Sequence, residues 1–97
     1  MNDPSTHDPS KALDEFIGRE VVFDVAGPYV YVGTLVDVDR RYFILDNADV
    51  HDLRDTKTTR ELYVLECKRH GIRSNRKRVL VRREEIISLS ALDDVIE

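Results

Sequence analysis

Eight Lys or Arg residues and no acid lie between Lys68 and Arg83: Lys68, Arg69, Arg73, Arg76, Lys77, Arg78, Arg82 and Arg83. Cations at this density attract polyanions locally, because salt limits the reach of each charge to about 8–10 Å. The chain as a whole is acidic, with a net charge of −4. Residues 1–56 carry 12 acids against five bases, and residues 84–97 carry five acids and no base. The block is therefore either a contact surface for phosphates or a solvated stretch balanced by the protein's own carboxylates.

Other chemistry is poorly supplied. His7, His51, His70 and the single Cys67 have no C-x-x-C or H-x-x-x-H spacing, so no metal centre is expected. Cys67 reads as a small buried apolar residue, and His51 and His70 as exposed. None of Ser5, Ser10, Ser74, Ser88 and Ser90 sits in a nucleophile-elbow pattern. Asp46, Asp49, Asp52 and Asp55 recur every third residue without a paired base, as solvating acids in a loop do. The four glycines are isolated, so there is no phosphate-cradling Gly-rich loop. These absences predict a non-enzymatic protein without a cofactor.

The elements that would position the cations follow from length and periodicity. Ninety-seven residues make one domain, 41% apolar and 35% charged. Apolar runs fall short of the roughly 18 residues a membrane helix needs. One cysteine permits no internal disulfide, and the first residues lack a signal-peptide pattern; both point to the cytoplasm. Residues 1–9 read as a disordered tail. Ser10 offers a cap for a short helix whose Leu13, Phe16 and Ile17 share one face, with Gly18 as the stop. From Arg19 the period changes to two. Val21–Val25, Tyr29–Val38 and Tyr42–Leu45 read as an antiparallel meander turned at Ala26-Gly27-Pro28 and Asp39-Arg40-Arg41. Asn47–Arg60 reads as a polar excursion, Leu62–Cys67 as a strand, and Arg78–Arg82 and Ile86–Leu89 as the last two strands. Residues 93–97 read as an acidic tail. So many short strands usually close on themselves. The expected fold is all-β: a small, strongly bent antiparallel barrel of five or six strands over residues 10–92, with a short N-terminal α-helix.

Within that pattern, Gly33-Thr34-Leu35-Val36-Asp37-Val38-Asp39 resembles the G-x-L-x-x-x-D spacing of the first motif of Sm and Sm-like proteins. Val79–Ile87 resembles the second motif, an apolar strand, Arg-Gly-Asp/Asn, and another apolar strand. The resemblance spans about residues 10–90 and implies a barrel that binds RNA. It assigns Asp39 and Arg82 to the nucleotide clamp, with Arg40 or Arg41 in the place that stacks on a base. Phe43, or Tyr42 with a shorter loop, stands where the family has Asn, and Arg83 stands where it has Gly. The family resemblance implies self-association by strand-edge pairing, through Val79–Val81 or Tyr63–Leu65 here. Phe16–Val21 and Gly33–Val38 also resemble the start of PRC-barrel domains, which implies the alternative of an interaction or assembly barrel with no nucleic-acid role. The expected RNA contacts are Asp39, Arg40, Arg41, Tyr42, Arg82 and Arg83, with Lys68, Arg69, Arg73, Arg76, Lys77 and Arg78 forming a phosphate-contacting loop.

Overall fold

A computed structural model describes residues 9–97; of the expected tail at residues 1–9, residues 1–8 lie outside them and Pro9 belongs to a helix. Helix α1 (Pro9–Asp14) leads into strands β1 (Glu20–Val25), β2 (Tyr29–Val38) and β3 (Tyr42–Asp52). Helix α2 (Arg60–His70), β4 (Arg76–Arg82) and β5 (Ile86–Ala91) follow. The five strands form one antiparallel sheet in the order β4-β3-β2-β1-β5. Alternation explains β1, whose Val21 and Phe23 enter one core cluster while Val22 joins another. The turn after β1 relies on Gly27 at φ 98°, a conformation that favours glycine.

Bulges bend the sheet. Register shifts occur in β2 between Val32 and Thr34 and again between Leu35 and Asp37. At the first of them Gly33 crosses β3 so closely that an added Cβ would lie 2.9 Å from the Ala48 Cβ and 3.2 Å from the Asp46 carbonyl oxygen. The concave side buries Val21, Phe23, Leu35, Phe43, Leu45 and Val81, with Leu13 and Phe16 packed against them. Ile17, expected beside those two, is exposed, because the helix ends at Asp14 and the chain turns through Gly18 (φ 86°). Ser10 lies inside α1 rather than ahead of it.

Two stretches differ from the sequence reading. Leu62–Cys67 is helical: Thr59 accepts a hydrogen bond from the Leu62 N–H at 3.2 Å as N-cap, and Gly71 (φ 90°) closes the helix by donating to Cys67 O. Its buried residues are Tyr63, Val64 and Cys67, a helical i, i+1, i+4 set. They cover Val22, Val30 and Val32 on the convex side of the sheet. The stretch after Asp46 continues β3 to Asp52, with Asn47 at φ 50° taking up the irregularity. Only its end leaves the sheet, in a single 3₁₀ turn at Leu53–Asp55. After β5, Leu92 packs into the convex cluster with Val95 beside it, and Lys68 and Arg69 of α2 hold Val95 O and Glu97. No helix among the described residues is long and apolar enough to cross a membrane.

Candidate functional site

The link between β2 and β3 is organised by one carboxylate. Asp39 Oδ1 accepts from the backbone N–H groups of Arg41 and Tyr42 at 2.8 and 2.7 Å, and Asp39 N donates to Tyr42 O at 2.9 Å. This Asx-type turn presents Arg40 and Arg41 at its tip. The two backbone donors, with smaller help from Arg83 and Arg41, hold the Asp39 carboxyl below its ordinary pKa. Strand pairing then sets Tyr42 opposite Arg82, and Arg83 N donates to Arg41 O at 2.8 Å.

The result is an open cleft of about 350 Å³ lined by Arg40, Arg41, Tyr42, Arg82, Arg83 and Glu84. Five of the six residues assigned to the RNA clamp line it, and the sixth, Asp39, shapes its wall. Phe43, a candidate for the place of the family's Asn, points away into the core, its ring centroid 5.0 Å from that of Phe23; Tyr42 takes the cleft side. Arg83 lies over the Phe43 ring at 5.5 Å and donates to Asp39 O at 2.8 Å. A residue standing where the family has glycine thus braces the turn. Glu84, which follows the two arginines directly in the sequence and puts a carboxylate beside the pocket, forms an ion pair with Arg82.

The expected phosphate-contacting loop is divided among three elements. Lys68 and Arg69 close α2 and bind the C-terminal segment, Arg69 meeting Glu97 at 2.6 Å. Arg76, Lys77 and Arg78 belong to β4, where Arg78 is held by Asp46 at 2.6 and 3.1 Å. That pairing lowers the pKa of Asp46 and raises that of Arg78. Only Arg73 remains on a loop. Six residues of extended strand, about 20 Å, separate Arg76 from Arg82, so the block does not converge on the cleft.

The recurring aspartates are not all solvated. Asp46 pairs with Arg78 and Asp52 with Arg54, whereas Asp49 is buried and accepts from the Tyr63 hydroxyl at 2.5 Å. Burial, reinforced by this hydrogen bond, raises the Tyr63 pKa and keeps the hydroxyl protonated. His51 stacks on Tyr63 with ring centroids 3.9 Å apart. The third-residue spacing gave no sign of this cluster, because its partner comes from a helix read as a strand. Cys67 is buried, as expected, and burial raises its pKa. The exposed-edge reading survives for Val79–Val81, since β4 pairs only with β3 among the described strands; Tyr63–Leu65 is in α2 and offers no edge.

No family model and no curated protein matches the sequence. Solved structures do match the fold. An Sm protein of Pyrococcus abyssii in complex with a uridine heptamer superposes with a TM-score of 0.59 at 11% identity, covering 88% of this chain and 99% of that one. A heptameric archaeal Sm protein superposes with a TM-score of 0.57 at 18% identity, covering 84% of this chain and 96% of that one. At these identities the likeness speaks for architecture, and the architecture here is the Sm fold.

Proposed function

We propose that the chain is a non-enzymatic RNA-binding module and that the cleft between the β2–β3 turn and the end of β4 takes single-stranded RNA. The supporting observation is the meeting of Arg40, Arg41, Tyr42, Arg82 and Arg83 around one opening. The guanidinium groups supply phosphate contacts and planar stacking surfaces, and Tyr42 supplies a ring on which a base can rest. The fold shared with an Sm protein solved with a uridine heptamer makes oligouridine the first ligand to test. In the same reading the chain self-associates through its two sheet edges, as a fold shared with a heptameric protein allows.

The test is oligouridine titration by fluorescence anisotropy at two or more salt concentrations. Affinity should fall as salt rises, and Arg41→Ala and Arg82→Ala should each flatten the log–log slope by about 0.7 for every phosphate that is no longer neutralised. No binding at low salt, or binding indifferent to salt, overturns the proposal. The Glu84–Arg82 pair favours a second reading, an assembly or protein-interaction barrel with no nucleic-acid role, because it places a carboxylate where a phosphate would approach. Partners recovered with the protein would then survive nuclease treatment.

A further inference from the structure

On the convex side, away from the arginine cleft, α2 and β3 enclose a larger cleft of about 830 Å³, within the size range of small-molecule sites. Its floor is Asp49, only 9% exposed, whose Oδ2 is taken by the Tyr63 hydroxyl. No hydrogen bond reaches Oδ1 among the described residues, yet no buried side-chain oxygen or nitrogen there lacks a partner. Oδ1 therefore opens onto the cleft that Asp49 lines. The stacked rings of His51 and Tyr63 form a flat, half-apolar wall. At the mouth stand Arg73, a cation on the loop after α2, and the Glu66–His70 pair at 3.5 Å. Asn75 fixes that loop to β3 by holding Val50 through both its backbone N–H and its carbonyl, at 2.9 and 3.0 Å.

We infer that this cleft is a nucleotide site that reads an amino-bearing base, guanine above all, with Asp49 as the reader and Arg73 on the phosphate. The two ends of the cleft require different ligand chemistry. A deep carboxylate with one free oxygen accepts from N–H donors, and guanine presents two side by side, N1–H and the exocyclic N2 amine. Arg73 at the mouth favours a ligand that carries an anion as well as N–H donors. The described residues contain no group of three or more His, Cys, Asp and Glu placed to hold a metal. Uridine lacks an amino group and offers only N3–H between two carbonyl oxygens. Those oxygens would face the carboxylate, so the site discriminates against uridine. It is separated from the arginine cleft by seven residues of β3, about 23 Å of extended strand, and does not depend on the function proposed for that cleft.

The test is calorimetric titration of the full chain with GMP, IMP and UMP, repeated on Asp49→Asn and Arg73→Ala. Asparagine keeps a carbonyl oxygen for the Tyr63 hydroxyl but no longer offers a charged acceptor. The wild type should bind GMP best, IMP less well and UMP least, with GMP ahead of UMP by at least about fivefold. Asp49→Asn should erase that preference. Arg73→Ala should weaken GMP but not guanosine. Equal binding of GMP and UMP, or a preference that persists in Asp49→Asn, overturns the inference. If Asp49→Asn loses its native circular dichroism, the wild-type ranking and the GMP-against-guanosine comparison in Arg73→Ala decide alone: the ranking together with weakened GMP supports the inference, and the absence of either overturns it.

Discussion

Asp39 does not line the proposed cleft, yet the cleft's geometry depends on it. Its carboxylate satisfies two backbone donors at a turn that carries two adjacent arginines. Asparagine retains an acceptor in the same place, whereas alanine removes it. Asp39→Asn should accordingly keep most oligouridine affinity, and Asp39→Ala, which removes both hydrogen bonds, should lower it by roughly tenfold or more. Anisotropy measured on both variants checks the difference. Asp39, Asp46 and Asp52 share a second property. Each has a folded-state pKa lowered by donors, from the Arg41 and Tyr42 backbone, from Arg78 and from Arg54 respectively. A depressed carboxyl pKa stabilises the fold fully above the unfolded value of about 3.9 and loses that contribution as pH falls through the folded value. The urea midpoint should thus be insensitive to these groups between pH 7 and 5 and should drop below about pH 4. Arg78→Gln should shrink the drop by removing the Asp46 share, and a midpoint that stays flat down to pH 2.5 would contradict the linkage.

Among the elements, β1, β2 and the first half of β3 were legible because inward residues alternate with outward ones and the turns carry Gly27-Pro28 and Asp39. The cleft was legible for a related reason: its residues lie at strand ends whose pairing, Tyr42 opposite Arg82, follows from the meander. Helix α2 was not legible as a helix. Tyr63, Leu65 and Cys67 alternate, but burial selects Tyr63, Val64 and Cys67. Its weak amphipathicity reflects a helix that covers only part of a sheet face. The caps carried the missing information, with Thr59 before Leu62, basic residues in the last turn and Gly71 after it. Thr59→Ala should cost about 1 kcal/mol. Tyr63→Phe should cost about 1–3 kcal/mol, because it strips a hydrogen bond from a buried carboxylate. Gly33→Ala belongs with these, since its Cβ would meet the Ala48 Cβ and the β3 backbone, none of which can swing aside. A destabilisation of about 1–3 kcal/mol is expected there. Urea denaturation of the three variants measures all of these, and a Gly33→Ala protein as stable as the wild type would mean that β2 and β3 do not approach as described.

At the scale of the whole molecule, the strand order leaves β4 and β5 at opposite ends of one sheet. Each carries an exposed apolar side chain, Leu80 at 50% and Ile87 at 72% of full accessibility. Unpaired strand edges with apolar side chains are an aggregation hazard unless something pairs with them. Because the two edges differ, pairing β4 of one copy with β5 of the next is head-to-tail, and such contacts end only when a ring closes. In the proposed assembly, the arginine cleft at the end of β4 would recur once per copy, and a long RNA would engage several clefts at once. Multivalency then predicts that affinity rises steeply with oligouridine length, beyond what any single cleft provides. Light scattering should report a closed oligomer for the wild type and a monomer for Ile87→Lys, which puts a charge on the pairing edge without disturbing the core. If the ring supplies the avidity, Ile87→Lys should lose the length dependence yet bind UMP as the wild type does. A wild type that stays monomeric at every concentration, or an Ile87→Lys protein that keeps the full length dependence, would break the link between edge pairing and RNA affinity.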